Sequence, residues 1–131
     1  MMSVLMFQER FADKVGTGVK RQTIRPTRKR PIKAGDFLSL RKWEGKAYRS
    51  KQIELATGTC TGVYDIEVLE HTAIIDGLDY DRRGVGIHDF AKADGFESWG
   101  HMRDWFKETH GLPFVGSLIQ WNVTGHYLGD E

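Results

Sequence analysis

One segment near the amino terminus carries the strongest signal in this sequence, and it reads Gly18-Val19-Lys20-Arg21-Gln22-Thr23-Ile24-Arg25. Residues 20–25 have the composition of a short strand. Pro26 ends it, because proline cannot donate to a strand ladder. Gly16 and Gly18 favour a turn just before it. The segment therefore predicts a turn that leads directly into a strand.

The alternation of side chains along this strand separates its residues into two faces. Arg21, Thr23 and Arg25 are predicted on one face, and Gln22 and Ile24 on the other. Lys20 would join the second face if the same alternation extended back to it.

Lys20 joins Thr23 and Arg25 only if the chain is still turning at its position. In that case an ammonium, a hydroxyl and a guanidinium converge on one cleft, where together they can bind a phosphate or the edge of a nucleobase. A partly desolvated lysine there can activate the threonine hydroxyl or a water molecule. The alternative is a solvated strand with ordinary surface charges.

Charge is concentrated around this segment, although the 131-residue chain has a formal net charge of only +1. No acidic residue lies between Asp13 and Asp36, and the other residues hold 11 cations against 18 anions. A basic segment on an otherwise acidic protein indicates a face for a polyanion, although it is also compatible with a solvated loop. The eight cations are Lys14, Lys20, Arg21, Arg25, Arg28, Lys29, Arg30 and Lys33.

The remaining periodicity predicts helices and strands in irregular order. Apolar residues at four-residue spacing predict a helix over residues 4–15, and a second helix begins at Ser98, its predicted N-cap, and ends before Gly111. Residues 76–89 are polar and predicted mostly as loop. Five or six strands with two or three helices predict an α+β fold, a small β-barrel with peripheral helices. Besides residues 20–25, the predicted strands are 36–43, 52–70, 72–75 and 115–123.

Several other classes of protein are disfavoured. The length fits one domain over residues 1–131. Cys60, the single cysteine, forbids an internal disulfide and is predicted to be a small buried apolar residue. The five histidines have no metal-ligand spacing, and the glycines at 16–18 and 84–86 lack the fingerprint of a nucleotide-binding loop. Without a bilayer-length apolar run or a leader, we expect a cytoplasmic protein with no metal, cofactor or membrane partner.

The chain resembles the ASCH family of small domains related to the PUA fold. The resemblance rests on Phe7-x-x-Arg10-Phe11, Gly18-x-Lys20-x-x-Thr23-x-Arg25, the turn Lys33-x-Gly35-Asp36, and the acidic position in Ala93-Asp94-Gly95-Phe96. It covers nearly the whole sequence, including the closing helix and strand. It implies a small PUA-like β-barrel with helices packed around a cleft.

The resemblance also implies a function. Family members are expected to bind RNA or nucleotides in the cleft, and some small bacterial members are amidohydrolases that remove the acetyl group from N4-acetylcytidine. Others are reported as ribonucleases. The hydrolases use a Lys, a Thr and a Glu, which correspond by position to Lys20, Thr23 and, on or near it, Asp94. Asp94 is one methylene shorter than the family's Glu.

We therefore expect a protein that binds RNA, a nucleotide or a modified nucleoside in a basic cleft. Trp43 or Tyr48 would stack on an unpaired base, unless both serve core or hairpin packing. In the alternative amidohydrolase, Thr23 is the nucleophile, Lys20 its base, and Asp94 orients Lys20 or water. A third alternative is a non-catalytic regulatory or interaction protein. In the hydrolase, Arg25 or a backbone amide would stabilise the developing oxyanion. In the binding protein, the residues expected to contact phosphates are Lys20, Arg21, Arg25, Arg28, Lys29 and Arg30.

Overall fold

The computed structural model describes residues 2–79 and 86–126. Within them, strands and helices are interspersed along the chain, with three helices and seven strands. In chain order they are β1 (Met2–Met6), α1 (Glu9–Gly16), β2 (Gln22–Arg25), β3 (Phe37–Trp43), β4 (Gln52–Val68), β5 (Ala73–Ile75), β6 (Leu78–Asp79), α2 (Ile87–Ala93), α3 (Trp99–Thr109) and β7 (Phe114–His126).

The strands pair as a mixed sheet, which confirms the predicted α+β class. β1 runs parallel to β3, and β3 runs antiparallel to β4 with a register shift between Leu40 and Arg41. β4 then pairs antiparallel with β5, and β5 with β6. β7 pairs with both β2 and β4. Among the described residues this order is open from β1 to β6, so the closed barrel is not confirmed.

Internal contacts divide the chain into two compact units. Among the described residues, unit 1 comprises 2–21, 32–62 and 120–126, and unit 2 comprises 22–31, 63–79 and 86–119. Both β4 and β7 contribute residues to each unit. The boundary after Arg21 falls inside the segment that dominates the sequence, so its motif residues are distributed over both units.

Unit 1 is built on β1, α1 and β3. Leu5 and Leu40 face each other across the parallel pair and are both fully buried. Helix α1 adds Phe11 and Val15 to this core. The ring of Trp121, from β7, lies edge-on to Phe7 with 6.0 Å between centroids. Burial of these side chains is the main source of the unit's stability.

The predicted start of the first helix is wrong. Residues 2–6 are strand β1, and helix α1 begins only at Glu9. The four-residue spacing of Phe7, Phe11 and Val15 correctly predicts a helix in this part of the chain, although only Phe11 and Val15 lie within it. The residues before it pair with β3, and tertiary pairing of this kind overrides local periodicity.

Unit 2 has its core around α3. Ser98 caps this helix as predicted, because its side chain accepts a hydrogen bond from the His101 amide at 3.1 Å. Met102 and Phe106 form the buried face. The rings of Phe106 and Phe114 lie 5.0 Å apart and hold the helix against the first residues of β7.

The predicted loop over residues 76–89 is partly wrong. Its described part contains β6 and the beginning of α2, while residues 80–85 lie outside the described residues. Helix α2 buries Phe90 and Ala91, which follow Ile87 at the three- and four-residue spacing of a helix face. The polar, glycine-rich residues on either side obscured this short pattern.

The predictions for four further strands and for Cys60 are confirmed. Strands β3, β4, β5 and β7 lie at the expected places, and the predicted barrel strand 20–25 is shortened to Gln22–Arg25. Cys60 is buried, which raises the pKa of its thiol. No helix among the described residues is long and apolar enough to cross a membrane.

We predict that Gly58→Ala destabilises unit 1 by about 1–3 kcal/mol, because an added methyl group overpacks the core. A Cβ there would lie 2.8 Å from the Asn122 carbonyl oxygen and 3.1 Å from the Trp121 ring. Urea denaturation measures the change in the free energy of unfolding. Gly45→Ala is the matched control, since its Cβ would lie no closer than 3.7 Å, to Ser50. Equal stability of the two variants would contradict the assigned packing.

Candidate functional site

The turn predicted before β2 is present and determines where Lys20 lies. Gly18 has a φ of +79°, which glycine adopts without strain. Its amide donates to the Val15 carbonyl at 3.2 Å, and the Lys20 amide donates to the Lys14 carbonyl at 2.9 Å. These bonds fold the chain back over the end of α1. Lys20 therefore does not follow the alternation of the strand.

Lys20 is buried among aromatic rings of unit 1. The residue is only 2% exposed, and its Nζ lies 4.9 Å from the centroid of the Phe11 ring and 6.0 Å from that of Phe7. Ring faces attract an ammonium and offset part of its lost hydration. Burial of a lysine to this extent is rare unless the charge is compensated. Lys20 is therefore not an ordinary solvated surface cation.

Strand β2 places two adjacent polar side chains in the interior of unit 2. Gln22 and Thr23 are 6% and 5% exposed, and Ile24 is buried as well. Both faces of this strand are therefore covered, whereas a strand with one solvated face would expose every second residue. The Gln22 side-chain amide donates to the Asp94 carboxylate at 3.3 Å.

Asp94 is positioned by the end of helix α2. It is the C-cap residue, and its amide donates to the Phe90 carbonyl at 3.1 Å. Gly95 follows with a φ of +99°, and the Phe96 amide donates a hydrogen bond to the Ala91 carbonyl at 3.0 Å. This is the usual glycine-terminated helix end, and it fixes the residue before the glycine. The Asp94 side chain is 3% exposed.

Arg25 completes the cluster. Its Nε donates to the Thr23 hydroxyl at 3.0 Å, as the predicted shared face requires. Burial lowers the pKa of the Arg25 guanidinium to about 10, while the attraction of Asp94 raises it and the repulsion of Arg28 lowers it further. We call Gln22, Thr23, Arg25 and Asp94 the buried polar cluster. It brings an amide, a hydroxyl, a guanidinium and a carboxylate together within unit 2.

The other predicted site residues lie elsewhere. Arg21 is exposed, and its Nε donates to the Gly18 carbonyl at 2.8 Å. Trp43 is half-buried and Tyr48 exposed, both in unit 1. The cleft predicted to join Lys20 with the buried polar cluster stays a prediction. The basic loop after β2 is exposed at Arg28, Lys29 and Arg30.

Two polar groups of interest escaped the sequence analysis. The first is Gln22, which the alternation correctly separates from Thr23, but nothing in the sequence indicates that both faces of the strand are buried. The second is the indole of Trp121, which is buried, and its Nε1 has no hydrogen-bond partner among the described residues. An indole N–H is a donor only, so no acceptor among the described residues offsets the burial of this group.

The described residues contain no group of three or more His, Cys, Asp and Glu side chains placed to hold a metal ion. The side chains of the buried polar cluster themselves offer hydrogen-bond donors and acceptors, charge compensation and a hydroxyl at Thr23.

No protein-family model matches the chain, and comparisons with curated proteins and with solved structures found no match. The interpretation of the site accordingly rests on its own residues.

We predict that Asp94→Asn lowers the pKa of Arg25 below its value of about 10, because the carboxylate that favours the charged guanidinium is removed. NMR titration of the Arg25 Cζ resonance measures the change. Asp89→Asn, which removes an exposed carboxylate of the same helix, is the control and leaves the pKa of Arg25 in place. An unchanged pKa in Asp94→Asn would contradict the assigned coupling.

Proposed function

We propose that the buried polar cluster binds a nucleoside or nucleotide, either free or as part of an RNA. The observation that carries this proposal is the burial of Gln22, Thr23 and Asp94 side by side with a partly desolvated Arg25. Burial of polar and charged groups costs free energy, and apolar residues often pack in their place at lower cost, so we infer that the cluster has a role beyond stability. The cluster instead supplies both donors and acceptors.

The chemistry of these groups matches the edge of a nucleobase. An amide donates and accepts, a carboxylate accepts, and a guanidinium donates through up to five N–H groups. Such side chains recognise the donor and acceptor pattern along the edges of bases. The cluster therefore suits a flat, polar heterocycle better than an aliphatic ligand.

Arg25 adds a preference for negative charge. Its low pKa reflects a cation that has lost part of its hydration. An anionic group next to such a guanidinium restores favourable interactions, and a phosphate can accept two of its N–H bonds. The exposed cations Arg28, Lys29 and Arg30 follow within the same unit and would meet further phosphates of an RNA.

This proposal includes membership of the ASCH family and its PUA-like barrel, to which the quoted motifs point. The α+β class and the short polar strand β2 are compatible with it. A cytoplasmic location and the absence of a membrane partner are part of the same proposal.

We predict that Arg25→Gln weakens binding of cytidine 5′-monophosphate by about 10- to 150-fold, the equivalent of a hydrogen bond to a charged group at roughly 1.5–3 kcal/mol. Isothermal titration calorimetry at pH 7 measures the affinity. Arg103→Gln is the control, because Arg103 lies on α3 and pairs with its neighbour Asp104. Equal affinity of Arg25→Gln and the parent protein would contradict the proposal.

The pH dependence gives a second signature of Arg25. Its pKa of about 10 predicts constant affinity between pH 7 and 9 and weaker binding as the guanidinium loses its proton near pH 10. An arginine in water would stay charged over this range. In Arg25→Gln the loss of affinity near pH 10 that is due to Arg25 is expected to disappear. Any loss of affinity that remains in this variant is attributed to deprotonation of the exposed lysines.

A second candidate function, hydrolysis of N4-acetylcytidine, is favoured by the bond from Arg25 to Thr23. A guanidinium that donates to the Thr23 hydroxyl stabilises the alkoxide needed for attack. The Thr23 oxygen would bond to the acetyl carbonyl carbon, and the C–N bond would break as the cytosine amine takes up a proton. Water would then release acetate from the threonine ester. Lys20 is proposed as the base because the family resemblance gives it this role.

We predict that Thr23→Ala lowers cytidine release from N4-acetylcytidine by at least about a hundredfold, since the nucleophile is lost, whereas Thr23→Ser keeps measurable activity. Chromatographic separation of the two nucleosides measures turnover. Thr27→Ala, in an exposed threonine just beyond Pro26, is the control.

The outcomes of this assay separate the three function classes. Turnover that survives both Thr23→Ala and Lys20→Met would contradict the hydrolase. Binding of the monophosphate without turnover supports the binding function alone. Failure of both assays would leave the non-catalytic interaction protein.

A further inference from the structure

The hairpin that joins β3 to β4 has a defined conformation in unit 1. Its strands are closed by a hydrogen bond from the Glu44 amide to the Lys51 carbonyl at 2.8 Å. Within the loop, the Ser50 hydroxyl accepts from the Gly45 amide and donates to the Lys46 carbonyl, both at 2.9 Å. These bonds fix the backbone on which the exposed side chains of the loop are mounted.

This loop presents an aromatic side chain to solvent. Tyr48 is 88% exposed, and its φ of +64° is a left-handed conformation that a bulky residue adopts only at a cost. Its ring lies 5.2 Å from the ring of Trp43, centroid to centroid, at an angle of 49°. The hairpin thus holds a tyrosine in a strained conformation beside a tryptophan instead of burying it.

A cavity lies beside the two rings. It has a volume of about 630 Å³, within the range of roughly 300–1,000 Å³ of small-ligand pockets. Trp43 and Tyr48 line it from the hairpin, and Phe7 and Gln8 line it from the end of β1 and the start of α1. The rings therefore border a space that can accept a flat group.

The hairpin is also strongly basic, with five cations and one carboxylate over residues 41–51. Two of the cations are engaged. Lys42 pairs with Glu9 at 2.8 Å, and Arg41 donates to the Gln52 side chain at 2.9 Å. The other three are exposed and form no ion pair with a carboxylate of the described residues: they are Lys46, Arg49 and Lys51.

We propose that this hairpin binds single-stranded nucleic acid. An unpaired base would stack on the rings of Tyr48 and Trp43 at the mouth of the cavity, and neighbouring phosphates would lie against the three exposed cations. Aromatic platforms flanked by cations are the general means of binding single strands. An acidic peptide would satisfy the charges but leave the exposed tyrosine ring without a matching surface. The hairpin belongs entirely to unit 1 and shares no residue with the buried polar cluster.

Stacking is tested with a fluorescein-labelled oligouridylate of ten nucleotides and the full chain, by fluorescence anisotropy. Tyr48→Ala is expected to weaken binding about 5- to 150-fold, as loss of one stacked base does. Tyr48→Phe keeps the ring and retains the affinity. Phe37→Ala, which removes another partly exposed aromatic ring of unit 1, is the control and also retains it.

The phosphate contacts are tested by the salt dependence of the same binding. The triple variant Lys46→Gln, Arg49→Gln, Lys51→Gln is expected to reduce the log–log slope by about 2, at roughly 0.7 per phosphate contact on a single strand. The control removes equal charge from unit 2 through Arg103→Gln, Lys92→Gln and Lys107→Gln and keeps the slope.

The proposal is overturned if Tyr48→Ala and the triple variant bind the oligonucleotide as the parent protein does. It is also overturned if polyglutamate displaces the oligonucleotide as well as polyuridylate does, which would make the hairpin a surface for acidic peptides. Failure here is distinguishable from failure of the nucleotide site. Tyr48→Ala is expected to bind cytidine 5′-monophosphate normally, and Arg25→Gln is expected to retain the Tyr48 dependence.

Discussion

The burial of the Asp94 carboxylate is the constraint on which the arrangement of unit 2 depends. A carboxylate at 3% exposure needs compensation, and it receives an amide hydrogen bond from Gln22 and attraction from the Arg25 guanidinium. Arg25 in turn donates a hydrogen bond to the Thr23 hydroxyl. These bonds and charges couple the four side chains to one another. The free-energy cost of burying so many polar groups is the reason that we propose a ligand for the cluster.

Two glycine turns in the backbone determine where Asp94 and Lys20 lie. The positive φ of Gly95 ends α2 at Asp94, and the positive φ of Gly18 turns the chain so that Lys20 packs on the rings of Phe7 and Phe11. Glycine allows both turns at little cost. The strained residue of the hairpin differs, because there a tyrosine occupies the left-handed region. The strain at Tyr48 is one of the observations behind the proposed stacking role of this hairpin.

Sequence reasoning succeeded where local rules apply. The glycines before Lys20 correctly predict a turn, and Ser98 is correctly predicted as the cap of α3. Strand alternation predicts that Thr23 and Arg25 share a face, and their hydrogen bond agrees with this. It failed where distant residues decide the outcome. The strand at residues 2–6 exists because it pairs with β3, and a helical pattern extended too far hid it.

In the candidate site, too, local features could be predicted from the sequence, whereas contacts between distant residues could not. The prediction of Asp94 as a site residue comes from a family resemblance alone. Its hydrogen bond with Gln22 joins residues 72 positions apart, and no spacing rule predicts such a contact. The unpartnered Trp121 indole escaped notice for a related reason, since burial of an apolar ring says nothing about its N–H. The basic hairpin was overlooked because its charge was averaged into an acidic remainder. Only the fold separates cations that are paired from those that are available.

The most direct test of the central claim is an NMR titration with cytidine 5′-monophosphate that observes the side-chain nitrogens of Gln22 and Arg25. If the buried polar cluster is the ligand site, the Gln22 Nε2 and Arg25 Nε resonances shift together and saturate with one dissociation constant. The side-chain resonances of Gln52 and Arg103, outside the cluster, serve as references and stay in place. Unmoved Gln22 and Arg25 resonances at a concentration that saturates binding would contradict the account.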